Sequence, residues 1–312
     1  MTTILYLGAE AGAEAAAEVI GDKARLLTVP ATPDAVAAAI GTCDAILDAS
    51  MKVRLTDEML ATATRLKIIS CATTGSDHIA RRELGRRDIP VRTLREDREL
   101  LLNLTPAAEL SWALVLACAR RLPAAVAHVK AGGWTRELFP GMMLNGRRMG
   151  IVGCGRIGTW VSRYALAFGM RVAGYDPHLK ALPAGIEPLS LPELVAASDV
   201  ISVHVPLTPE TTRLISARLL DAVTPGAILI NTSRGAVVDE AALLQALESS
   251  RLGAAGLDVL ADEPDVEKSA LLDYARRHDN LIITPHCGGF SPDAVRVVCR
   301  RAAEKIMERL EP

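Results

Sequence analysis

Short apolar runs alternate along this chain with stretches whose hydrophobic positions recur every three or four residues. In the first third, ILYL (4–7), RLLTV (25–29), AILD (45–48), LKIISC (66–71) and IPVRT (89–93) read as strands. PDAVAAAI (33–40) and TDEMLATA (56–63) read as helices between them. The strands are apolar throughout instead of alternating, which predicts a parallel sheet covered by helices on both faces. The pattern stops at a nearly all-helical stretch, 106–131, resumes at RRMGIVG (147–153) and runs to LIIT (281–284). A final amphipathic helix is expected over 291–310, free by its pattern to pack on either half. The fold class is α/β: two doubly wound, Rossmann-like parallel-sheet units joined by a helical connection.

Composition narrows the functions open to such a chain. The 312 residues are half hydrophobic, enough for two cores, and the net charge of −2 comes with no basic run. Nucleic acid is therefore excluded as the main partner, since phosphate binding needs a concentrated positive face. The start, MTTILYLGAE, lacks the pattern of a signal peptide. The most apolar helical run, 110–119, is half the roughly 20 residues a membrane span needs. The expectation is a cytoplasmic protein with no membrane partner. Six cysteines at 43, 71, 118, 154, 287 and 299 form no C-x-x-C pair and have no histidines at zinc spacing, so reduced thiols and no metal site are expected. Cys154 and Cys287 adjoin the motifs below, where oxidation would inhibit.

A strand-to-helix joint at 153–158 reads G-C-G-R-I-G. Gly153 permits the tight turn, Gly155 lets a pyrophosphate approach the backbone, and Gly158 lets helix and strand pack closely. The helix start offers unpaired N–H groups and partial positive charge to phosphates. The next strand, RVAGY (171–175), ends in Asp176, 176 − 158 = 18 residues past the last glycine. An acid there accepts from ribose hydroxyls and repels a 2′-phosphate, so the cofactor is NAD rather than NADP.

Ligands of an open parallel sheet bind beyond the carboxyl ends of its strands. Those ends carry His204, Pro206 and Thr208; then Thr232-Ser233-Arg234-Gly235 with Asp239-Glu240; then Asp258 and Glu263-Pro264; then His286. Each alone reads as a cap, a solvated acid or a satisfied histidine. An arginine, a glutamate and a histidine on the edge that bears the cradle make a candidate for proton transfer beside a nicotinamide.

The strings G-C-G-R-I-G, N-T-S-R-G-A-V-V-D-E, L-D-V-L-A-D-E-P and T-P-H-C-G-G, with T-T-G-S-D-H-I (73–79) and N-L-T-P-A-A-E-L (103–110), resemble the D-isomer-specific 2-hydroxyacid dehydrogenase family over nearly the whole chain. The resemblance implies a flavodoxin-like substrate-binding domain of residues 1–99 plus 287–312 and an NAD-binding Rossmann domain of residues 100–286, separated by an active-site cleft that closes on hinges near 96–104 and 285–291. It implies His286 as acid/base, Glu263 as the carboxylate that orients it, and Arg234 as the group that holds the substrate. Thr74 and Gly75 would bind the substrate carboxylate through main-chain N–H groups. Gly153, Gly155, Arg156, Ile157, Gly158, Asp176, His204, Pro206, Thr211, Thr232, Asp258 and Gly288 would contact NAD, the last two at the carboxamide end. The partners implied are a small-molecule 2-oxo or 2-hydroxy acid and a second copy in a homodimer.

Within the family, the substrate expected is a small 2-oxo acid such as hydroxypyruvate or glyoxylate, or a pathway-specific one; the runner-up is D-3-phosphoglycerate. Many phosphoglycerate enzymes carry an arginine where this chain has Cys71, and Asp48 stands at another such place. Lys52 and Arg54 are candidate substitutes. The chain ends at Pro312 without the regulatory extension of some phosphoglycerate enzymes, whereas 128–153 reads much like that branch. Two other readings compete: a non-catalytic NAD-sensing binding protein on this fold, and a β-hydroxyacid dehydrogenase, whose strand-tip lysine is missing here.

Overall fold

The computed structural model describes residues 1–310, which divide into two compact units: Met1–Leu104 with the C-terminal segment from Gly289, and Thr105–Gly288. In the first unit five strands, β1 (Thr3–Leu7), β2 (Arg25–Thr28), β3 (Ala45–Asp48), β4 (Ile68–Cys71) and β5 (Val91–Arg92), pair in parallel in the order β2-β1-β3-β4-β5. The uniformly apolar strands are the central ones: every residue of β3 and β4 is buried. Leu5, Leu7, Ile46 and Ile69 pack beneath one helical layer, and Ile4, Tyr6, Leu47 and Ile68 beneath the other. Each fully buried aliphatic side chain contributes about 1.5–3 kcal/mol, so both faces have to be covered.

The C-terminal helix Pro292–Leu310 supplies part of the second layer, through Cys299, Ala302, Ala303 and Ile306. It lies close to the helix Glu10–Ile20 because Gly12 has no side chain; a Cβ there would sit 2.6 Å from Cys299 Sγ. The buried Lys305 donates to Thr93 O at 2.6 Å and pairs with Asp97, whose other oxygen accepts from Arg301 at 2.7 Å. The run read as IPVRT shortens to Val91–Arg92 at the sheet edge, where Pro90 has no N–H to give the ladder.

The second unit has seven parallel strands: β6 (Arg148–Val152), β7 (Arg171–Tyr175), β8 (Ile186–Pro188), β9 (Val200–Val203), β10 (Ala227–Asn231), β11 (Leu252–Leu257) and β12 (Leu281–Ile283). Their order is β12-β11-β10-β9-β6-β7-β8. The chain grows outward from β6 through β8, then crosses back to place β9 on the other side of β6. That reversal opens a crevice at the carboxyl ends of β6 and β9. Edge strand β8, three residues long and ending in proline, is too short to show in the sequence pattern. The helical stretch breaks into Pro106–Ala119 and Leu122–Lys130 at Arg121, whose φ is 48°. The segment Arg98–Ala119 is long and apolar enough, by length and composition, to cross a membrane. It is nonetheless interrupted between Leu102 and Pro106, and Trp112, Leu114, Val115 and Cys118 are buried in the core of this unit.

Candidate active site

The glycine cradle closes β6 and opens the helix Arg156–Ala167. Gly153 has φ 90°, and a Cβ on it would lie 2.7 Å from His204 O. A Cβ on Gly158 would lie 2.1 Å from Gly153 O, so the helix seats directly on the strand end. Gly155 differs: nothing lies within 4 Å of where its Cβ would be. It stands at the helix N-cap with no side-chain cap, leaving open space before a row of N–H donors, the form a pyrophosphate requires. Arg156 and Ile157 begin that helix. Asp176, first residue past β7, accepts from Cys154 N and His178 N, both at 3.0 Å. Its carboxylate is thereby fixed at the edge of the cradle, and the residues present fit a dinucleotide. Cys154 is buried, and burial pushes its thiol up to about 12, which removes its reactivity at neutral pH.

At the tip of β9, His204 Nε2 lies 2.8 Å from Ser202 Oγ, while Nδ1 is buried without a partner. Burial pulls this imidazole down to about 3, so it is neutral at physiological pH. The following loop folds on itself: Thr211 Oγ1 donates to Pro206 O at 2.6 Å and accepts from Thr208 N at 2.7 Å.

Three loops follow the adjacent strands β10, β11 and β12, and they interlock. Asn231, 1% exposed, ends β10 and shapes the turn beyond it. Its Oδ1 accepts from Ser233 N and Oγ, and its Nδ2 donates to Arg234 O at 2.9 Å. Arg234 Nη1 donates to Ser233 O at 2.8 Å. Thr232 is joined to the buried Ser111 at 2.7 Å. Gly235 brings this turn against the next loop, since a Cβ there would be 2.0 Å from the Leu260 carbonyl carbon. Glu240 accepts from Ala261 N at 2.7 Å, and burial raises its carboxyl pKa.

The Glu263-Pro264 bond that follows is cis. Glu263 Oε1 lies 2.8 Å from His286 Nδ1. His286 has φ 51°, a left-handed conformation uncommon for a side-chain-bearing residue. Asp258 accounts for it: His286 N donates to Asp258 O, and the buried carboxylate accepts from Thr284 Oγ1 at 2.5 Å, Cys287 N at 2.9 Å and Gly288 N at 2.7 Å. The ring is left with Nδ1 on the glutamate and Nε2 as its other nitrogen. The ring is thereby held in a fixed orientation.

Sequence reasoning picked out Asp258 and Gly288 for a carboxamide contact and missed their mutual bond. It also missed Asn231, for which a signal existed: an asparagine at a strand end, two residues before a serine, is an Asx-turn pattern. In the first unit Thr74 is exposed and Gly75 buried, in the loop after β4. Cys71 and Asp48 are each 1% exposed at the ends of β4 and β3, whereas Lys52 and Arg54 are exposed.

Two family models match the chain. Residues 112–288 match the NAD binding domain of D-isomer specific 2-hydroxyacid dehydrogenases, and residues 9–96 match their catalytic domain. The chain is 39% identical over 267 residues to a D-3-phosphoglycerate dehydrogenase of Mycobacterium tuberculosis, covering 84% of this chain and 48% of that protein. The human D-3-phosphoglycerate dehydrogenase is 36% identical over 244 residues, 77% of this chain and 44% of its own. The chain therefore spans about half the length of the curated relatives it matches. A solved Thermus thermophilus protein superposes with a TM-score of 0.87 at 34% identity, over 99% of this chain and 97% of that one. The D-lactate dehydrogenase of Aquifex aeolicus, solved with NAD and lactic acid, gives 0.80 at 27% identity, over 99% and 95%.

Proposed function

The chain belongs to the D-isomer-specific 2-hydroxyacid dehydrogenase family, and from that premise we propose that it is an NAD-dependent oxidoreductase interconverting a small 2-oxo acid and its D-2-hydroxy acid. The observation that carries the proposal is the His286–Glu263 pair at 2.8 Å, held at the tips of β11 and β12 in the unit that contains the cradle. NADH, when bound, supplies hydride to the carbonyl carbon. The chain's own part is to protonate the carbonyl oxygen and hold the acid. With Nδ1 engaged by Glu263, the proton leaves from Nε2, and the glutamate fixes the ring that delivers it. Arg234 orients the carboxylate and carbonyl oxygens, for which a planar guanidinium is suited. Main-chain N–H groups at Thr74 and Gly75 take the carboxylate.

For the substrate, buried Cys71 and Asp48 support an acid without a phosphate, because neither strand end offers a cation there. The second reading, D-3-phosphoglycerate, is favoured by relatives 36–39% identical. Loss of NADH absorbance with glyoxylate, hydroxypyruvate and 3-phosphohydroxypyruvate separates the two readings. No oxidation with any of a wider panel of 2-oxo acids would refute both and leave an NAD-sensing binding protein.

We further propose a homodimer formed through the second unit. On the helix Leu122–Lys130, Leu122, Val126 and Val129 are exposed, and the chain beyond it exposes Trp134 (89%), Leu138 and Met143. Apolar positions concentrated in one segment mark an interaction site. Sedimentation equilibrium should give twice the 33.2 kDa chain mass, and a Trp134→Glu, Val126→Glu variant should be monomeric. Six free thiols and the absence of a disulfide among the described residues support a cytoplasmic setting.

A further inference from the structure

The first unit carries a buried histidine–carboxylate pair with no part in the steps above. Asp48 ends β3 and is 1% exposed, and the His78 side chain is 8% exposed. Nε2 of His78 lies 2.6 Å from Asp48 Oδ2. The ring thus meets the carboxylate through Nε2, at a distance that only a hydrogen bond allows. The other oxygen, Oδ1, accepts from Ser50 N at 2.9 Å, Ser50 Oγ at 3.0 Å and Met51 N at 3.3 Å.

The main chain of Asp48 is engaged as well: its carbonyl accepts from Ala72 N at 2.8 Å. One residue thus holds both ends of the segment 72–78, the start by its backbone and the finish by its carboxylate. Leu55 N adds a bond to His78 O at 2.9 Å, binding the finish to the chain leaving β3. Thr74 and Gly75 lie between these two anchors.

We propose that Asp48 and His78 are positioning residues that set the substrate-carboxylate loop, governing how tightly the substrate binds rather than how fast the bound substrate reacts. The inference rests on the carboxylate role proposed for Thr74 and Gly75. Main-chain donors stabilise an anion well only when they are already aimed, because ordering a loop upon binding subtracts from affinity. A pair out of water keeps its full strength for that purpose.

Steady-state kinetics with the 2-oxo acid that the wild type reduces fastest, together with NADH titration, test the proposal. His78→Leu should raise KM by ~10-fold or more, the worth of a bond to a charged group. Turnover should stay within about threefold, NADH affinity should be unchanged, and His78→Gln, whose amide reaches the place of Nε2, should restore KM. Asp48→Asn keeps an acceptor for Ser50 and Met51 and should move KM the same way, which covers the case of a leucine variant that fails to fold. An active wild type whose variants keep their KM overturns the inference alone, as does a joint fall of turnover and NADH affinity. A wild type active on no 2-oxo acid overturns the proposed function, and the inference falls with it.

Discussion

Alanine at two glycines of the cradle should have opposite consequences. A methyl at position 158 would lie 2.1 Å from Gly153 O and 3.0 Å from Ile151 Cγ2. The first neighbour is backbone and cannot rotate away, so the helix Arg156–Ala167 would have to move off β6 by roughly 1 Å, given ordinary carbon–oxygen contacts near 3.2 Å. Overpacking a close-fitted site costs about 1–3 kcal/mol, and an immovable neighbour puts this change at the upper end. With a urea dependence of about 2 kcal/mol/M, the unfolding midpoint should fall by about 1 M or more. Position 155 is open within 4 Å, and its φ of −68° suits alanine. There the loss of stability should stay below ~1 kcal/mol, typical of an N-cap exchange. The same methyl would fill the space before the helix N-terminus, so NADH affinity should fall at least ~10-fold, or about 1.4 kcal/mol. Urea titration followed by tryptophan emission is well placed to read this, because Trp112, Trp134 and Trp160 all belong to the second unit. Equal destabilisation by both variants, or undiminished NADH binding by Gly155→Ala, would refute the cradle.

His286→Asn should lower turnover at least ~10²-fold, the usual share of acid–base catalysis, with NADH still bound; an unchanged rate would remove His286 from the chemistry. Asp176→Ala should weaken NAD binding and relax discrimination against NADP, and unaltered NAD affinity would show that the carboxylate serves only Cys154 and His178. His204 predicts an acid sensitivity of the second unit. Burial depresses its folded pKa to about 3, below the unfolded value near 6.5, so below 6.5 the unfolded chain takes up a proton that the folded one refuses. Stability should therefore drop as pH falls through that window, by ~1.4 kcal/mol per pH unit, and His204→Asn should flatten the slope; an equal slope in the variant would contradict the burial argument.

Asp97 shows the reverse case in the first unit. Burial opposes its ionisation, yet bonds from Arg301 and Lys305 hold its carboxyl below the usual range. Its contribution is thus complete above the ordinary carboxylate pKa and is lost as acid protonates it. Melting curves of Asp97→Asn should show a lower midpoint than wild type at pH 7 and a smaller gap at pH 3; a constant gap would mean that the charge is immaterial.

Much of this architecture could be read in the chain alone, because its causes are local. Uniformly apolar runs of four to six residues need cover on both faces, and β1, β3, β4, β6, β9 and β10 lie where those runs lie. The G-C-G-R-I-G turn demands a glycine at φ 90° whatever surrounds it. The ends of strands could be located, and with them Asp176, Arg234, Asp258 and His286. Three-dimensional packing decided the rest. Whether His286 faces a carboxylate depends on a loop more than twenty residues earlier, and its left-handed backbone depends on Asp258, which nothing near position 286 announces. Asp48, read only as a place where an arginine can stand, and His78, read only as part of T-T-G-S-D-H-I, are thirty residues apart, and their mutual bond shows only once β3 and β4 pair side by side. Periodicity reports which face of an element is buried, since that is a property of consecutive residues; which polar groups meet at the strand tips is set by strand order, and strand order is a property of the whole sheet.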